Sequence, residues 1–169
     1  MKKIIFIFSY LFVFLGVSLS NLCLASDDFV TIDKISDFKL EIEEVVPQSF
    51  LDNNKSSGML KTGPAQSSPG YNIKYKGIKY KIGVDESNKI IFIYSDDIKC
   101  VTPEKIKPGM KFMDALKIAT KSPNSSVIME KGWINFIPLN SGWNAAVLLD
   151  ESDQMSVFDN IAFVFKRKQ

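Results

Sequence analysis

Alternation and helical spacing divide the chain into recognisable elements. Phe38, Leu40 and Ile42 alternate with Lys39, Glu41 and Glu43, the pattern of a half-buried strand. Ile78, Tyr80, Ile82 and Val84 alternate with Lys79 and Lys81, and Asp85-Glu86-Ser87-Asn88 supplies turn residues before a return strand over Lys89–Ser95. Ile90 to Tyr94 is apolar at successive positions, which predicts a central strand covered on both faces. Phe112, Ala115, Leu116 and Ala119 share one face at helical spacing, so the main helix is expected within Met110–Thr120, after the Pro108-Gly109 break. Further strands are expected at Ser126–Met129, Trp133–Ile137, Trp143–Leu149 and Ile161–Phe165. The stretch 47–70 is rich in Ser, Asn, Gly, Pro and Gln and reads as a long mobile loop. These elements predict an α+β domain: an antiparallel sheet of about six strands with one main helix packed on it.

The N-terminus has a different pattern. Lys2 and Lys3 precede an apolar run from Ile4 to Val17, and the small-residue site Cys23-Leu24-Ala25 follows. This is the order of a secretory signal peptide, residues 1–25, and the run is too short for a membrane-spanning helix of roughly 20 residues. Cys23 as a lipidated residue is disfavoured, because Leu22 stands where a lipoprotein signal wants a small side chain. Cleavage after Ala25 leaves residues 26–169 as a single mature domain, with no stable membrane span and a periplasmic or secreted location.

Removing 25 residues from 169 leaves 144, enough for one hydrophobic core. Losing Lys2 and Lys3 from 21 basic residues leaves 19, against 19 acidic ones. That balance excludes the electrostatic footprint of a nucleic-acid partner. Lys166-Arg167-Lys168 is the one basic run and reads as a frayed, solvated tail. Cys100 is the one cysteine left, so no internal disulfide can form, and a buried structural thiol is expected. The sequence contains no histidine, which removes Cys/His zinc sites, Ser-His-Asp triads and His general bases. No cofactor or metal is expected: the acidic runs Asp85-Glu86 and Asp150-Glu151-Ser152-Asp153 lack full calcium-loop spacing. Asp96-Asp97 fits either acid/base work or a strand end.

Gly132-Trp133 and Ser141-Gly142-Trp143, with Asn135, Asn140 and Asn144 nearby, carry the distinctive chemistry. Tryptophan supplies contact area and a donor, so Trp133, Asn135, Asn140, Ser141, Trp143 and Asn144 form the candidate binding set. Both indoles also fit a sheet core, the reading favoured over a recognition surface. The alternatives differ in whether the two rings share a face, which one residue of loop length decides.

Thr102-Pro103-Glu104-Lys105-Ile106, leading to Pro108-Gly109-Met110 and Asp114-Ala115-Leu116, resembles a pattern of the BamE/SmpA-like small envelope lipoproteins and their periplasmic relatives. In them a Gly-Met or Gly-Thr pair opens a helix that feeds a β-meander. The resemblance covers about Asp97 to Lys166. It departs in lacking a lipobox cysteine, in having Lys121-Ser122-Pro123 after the helix, and in carrying extra upstream strands. It implies a non-enzymatic envelope domain that acts by contact.

Together these features predict an interaction module of the cell envelope with a protein, peptide or glycan partner. A variant of this expectation is an inhibitor or immunity protein against a cell-wall enzyme, with a protruding loop over Leu51–Gly70. The alternative from another class is a small hydrolase using Ser141 or Cys100 with Lys or Asp partners.

Overall fold

The computed structural model describes residues 29–33, 35–54, 56–120, 126–147 and 159–168. The expected signal peptide, Cys23, Lys121-Ser122-Pro123 and the acidic run at Asp150 lie outside the described residues.

Among the described residues nine strands, β1 (Val30–Thr31), β2 (Gly58–Lys61), β3 (Ser67–Tyr75), β4 (Ile78–Val84), β5 (Ile90–Ser95), β6 (Ile128–Met129), β7 (Asn135–Pro138), β8 (Asn144–Val147) and β9 (Phe163–Arg167), join in one sheet. The order is β1-β3-β4-β5-β9-β8-β7-β6, with β2 also pairing β3. The pairings are antiparallel except β1 with β3, so the sheet is mixed. Two short helices accompany it among the described residues, α1 (Gln48–Asn53) and α2 (Phe112–Ala119). This overturns the expected α+β arrangement of about six antiparallel strands with one main helix.

Two segments account for the difference. The stretch 47–70, expected as a loop, contains α1, β2 and the start of β3. β3 turns into β4 through Lys76-Gly77, both at positive φ (50° and 77°), the two-residue turn whose twist matches paired strands. Conversely, the alternating segment Phe38–Ile42 forms no strand. Asp37 and Glu43 bracket it at positive φ, 62° and 71°, which breaks the extended run that a ladder requires. Phe38 is still buried, and Leu40 and Ile42 pack against the core. The alternation therefore marks which side chains turn inward, without a sheet partner for the backbone.

The sheet buries apolar side chains on both faces. One face carries Ile73, Tyr80, Ile82, Ile93, Ile137, Ala145 and Val164, covered by Phe112, Ala115 and Ala119 of α2, Leu51 of α1 and the N-terminal Ile32, Phe38 and Val46. The other carries an aromatic cluster of Phe92, Phe136, Phe163 and Phe165 with Ile134 and Ala146, against which Leu60, Tyr94 and Trp133 pack. β5 contributes Ile93 to the first and Phe92 to the second, as its uninterrupted apolar run predicts.

Among the described residues no helix covers the second face. The β2–β3 hairpin does so: Leu60 packs on the aromatic cluster, and the Lys61 ammonium donates to the Gly132 carbonyl at 2.7 Å. Gly83 in β4 makes this close approach possible. A Cβ there would lie 2.3 Å from Ser68 Oγ and 3.3 Å from Thr62 Cγ2, so only a missing side chain lets the hairpin lie down on the sheet. After α2 the chain runs through β6, β7, β8 and β9 as consecutive antiparallel neighbours. None of the described helices is long and apolar enough to cross a membrane.

Candidate functional site

The two tryptophan turns look alike in sequence and differ by one residue in geometry. In the first, the Trp133 N–H donates to Glu130 O and the Glu130 N–H to Ile134 O, so Gly132 is the third turn residue. In the second, the Gly142 N–H donates to Leu139 O and the Leu139 N–H to Trp143 O, so Gly142 is the fourth. A one-residue offset reverses the facing of a side chain. Trp133 packs on the aromatic cluster, 5.5 Å from the Phe165 ring and 6.1 Å from Phe92. Trp143 packs on the opposite, helix-covered core, with Lys166 Nζ 5.9 Å over its ring.

The candidate set is therefore not brought together. The indoles lie half-buried on opposite faces, and Asn135 is buried within β7. Asn144 donates to Phe165 O at 3.4 Å, and Asn140 is exposed at the turn. Ser141 is held by Glu104, which accepts its backbone N–H at 2.7 Å and its hydroxyl at 2.9 Å. These contacts fasten a turn, and the two indoles do not share a face.

The other candidate groups have equally local partners. Cys100 is 3% exposed, its thiol 3.8 Å from the Tyr80 hydroxyl, and burial pushes the thiol pKa up. A protonated buried thiol is a poor nucleophile. Asp97 accepts the Lys99 N–H at 2.9 Å and the Lys79 N–H at 3.1 Å, and these bonds, the Lys99 one foremost, hold its carboxyl below the ordinary value. Asp96 accepts the Tyr94 hydroxyl at 3.0 Å, and burial followed by that carboxylate pushes the phenol up. Asp85 accepts the N–H groups of Ser87 and Lys89, both at 2.9 Å, and so closes the β4–β5 turn. Among the described residues no cluster of three or more His, Cys, Asp or Glu side chains is placed to hold a metal.

A different site emerges where the β2–β3 hairpin meets the ends of β5 and β9. A hollow of about 370 Å³ is lined by Thr62, Gln66, Ser67, Ile91, Arg167 and Lys168. The hairpin turn is closed by the Thr62 N–H donating to Gln66 O at 2.9 Å. Ile91 is the extra residue of a bulge, since Gly83 pairs with Phe92 and Val84 with Ile90. Arg167 and Lys168, expected as a frayed tail, are instead the end of β9 and its extension, with the Lys168 N–H bonded to Ile91 O at 2.9 Å.

The electrostatics of this hollow are set by its own pairs. The Arg167 guanidinium forms a two-pronged bond to the Glu130 carboxylate and stacks 5.2 Å from Trp133 and 5.4 Å from Phe136. Lys168 bonds Glu43 at 2.6 Å, which lowers the Glu43 pKa and raises that of Lys168. Both cations at the wall are thus compensated. Thr62 is only 6% exposed, and its Cγ2 faces Gly83. Beside it, Ser68 is 5% exposed, and its Oγ is buried without a partner. Buried hydroxyls without partners are costly and mark places where an outside group completes the bonding.

The sequence gives no sign of this site, because its walls come from three separated segments and none has a recognisable spacing. The one available signal was the Lys76-Gly77 turn, which would have placed β3 and hence the β2–β3 hairpin. No family model matches the chain, and no curated protein or solved structure matches it significantly.

Proposed function

We infer that the protein is a non-enzymatic interaction module of the cell envelope, exported by the signal-like segment Met1–Ala25 and working by contact with a partner. The observation that carries this is the hollow under the β2–β3 hairpin, whose wall of Thr62, Gln66, Ser67, Ile91, Arg167 and Lys168 is open to an incoming group. Ser141 and Cys100 have structural partners, Glu104 and Tyr80, which weighs against the hydrolase alternative. The inhibitor variant loses its main support, because the segment expected to protrude packs back on the sheet through Leu60 and Lys61. The helix α2 followed by the meander β6–β9 is the arrangement that a BamE/SmpA-like relationship implies.

The test is affinity capture with the exported protein, its start first fixed by intact mass. The expected outcome is a product beginning near Ser26 that retains a defined envelope component, and retains it less well when Thr62 is changed to Val. A product still carrying Met1, or retention indifferent to Thr62, contradicts this function.

A further inference from the structure

We propose that the hollow between the β2–β3 turn and the end of β9 binds an uncharged saccharide unit. This rests on the contact-module function above and names its ligand class. An anionic ligand needs surplus positive charge and donors only. Here Arg167 is already neutralised by Glu130, and Lys168 by Glu43. What remains at the wall is the Thr62 and Ser67 hydroxyls and the Gln66 amide, groups that both donate and accept, beside the apolar side chain of Ile91. Sugar hydroxyls, which also donate and accept, on a ring with apolar C–H faces, match that lining.

The volume, about 370 Å³, lies in the range of small-ligand sites. A peptide would more naturally add to a free strand edge. The outer edge of β3 is already taken by β1 along Ile73 and Lys74, and by β2 along Ser67–Gly70, and the strands with an unpaired edge among the described residues, β1, β2 and β6, do not line the hollow. The residues at the wall are also held in place. Stacking of Arg167 on Trp133 and Phe136, and the Lys61 bond to Gly132, fix both sides of the hollow relative to the aromatic cluster. Trp133 thus acts as a positioning residue that supports the site from behind.

The experiment is calorimetric titration of the exported protein with neutral trisaccharides (chitotriose, cellotriose, maltotriose and mannotriose). Trigalacturonate, inorganic phosphate and an uncharged alanine–serine peptide serve as competing classes. At least one neutral trisaccharide should bind, with an affinity insensitive to added salt. Thr62→Val and Gln66→Leu should each weaken binding about three- to tenfold, as expected for one lost hydrogen bond, without lowering the melting temperature by more than a few degrees. Gln66 is exposed in the turn, so its variant keeps the test valid even where the Thr62 variant folds poorly. Absence of binding by every neutral trisaccharide, preference for galacturonate, phosphate or peptide, or full affinity in both variants overturns the proposal. If the saccharides fail while a captured envelope component still binds in a Thr62-dependent way, the ligand class alone is wrong and the contact function stands.

Discussion

At the scale of single residues, Cys100 and Asp97 show how chemistry that looks reactive in sequence is used for folding. Cys100 is enclosed by the core and faces Tyr80, with burial pushing its pKa up. A thiol reagent should therefore label the native exported protein no faster than it unfolds, and label it fully in denaturant. Prompt stoichiometric labelling of the native state would show an accessible, reactive thiol. Asp97 has a folded pKa held below its unfolded value by the N–H groups of Lys99 and Lys79. Its stabilisation is complete above the unfolded carboxylate pKa, about 4, and is lost as pH falls through the lower folded value. Asp97→Asn should cost about 1 kcal/mol at neutral pH, and the gap from the parent should close in acid; denaturant titrations at two pH values measure it. A cost that persists unchanged below the folded pKa would contradict this role. The role of Cys100 was legible in the sequence, since a lone cysteine without histidine has few chemical options. That of Ser141 was not, because its partner Glu104 lies 37 positions away.

At the scale of elements, Gly83 sets the relation between the sheet and the β2–β3 hairpin. A methyl group there meets Ser68 Oγ, Thr62 Cγ2 and Phe92 Cβ, so the packing of the hairpin on the sheet has to shift. Gly83→Ala should lower stability by about 1–3 kcal/mol in urea unfolding and increase binding of a hydrophobic dye, as Phe92 and its neighbours become accessible. Parent-like stability with no new dye binding would show that the hairpin is not seated as described. Which elements the sequence revealed follows from how each is held. The β4–β5 hairpin and α2 announce themselves by period, and the strands of the final meander by short apolar runs between turn residues, buried at successive positions. β3 does not, since its first half passes through Pro69 and Gly70 over the sheet, and only its second half alternates. The Phe38–Ile42 segment errs the other way, having the side-chain alternation of a strand and a backbone broken by Asp37 and Glu43.

At the scale of the whole molecule, a sheet with both faces buried is built from one side covered by helices and N-terminal chain, and one covered by its own folded-over hairpin. That second closure creates the hollow lined by Thr62, Gln66 and Arg167, while the one-residue offset between their turns separates the two tryptophans that sequence proximity had grouped. The site is a product of topology, so it left no local motif. Amide hydrogen exchange of the exported protein, with and without a saturating neutral trisaccharide from the titration, tests most directly whether this hollow is the binding site. Binding there should slow exchange within residues 62–67 and at 167–168 and leave residues 139–143 unchanged. Slowing centred on the Trp143 turn, or no slowing anywhere, would contradict it.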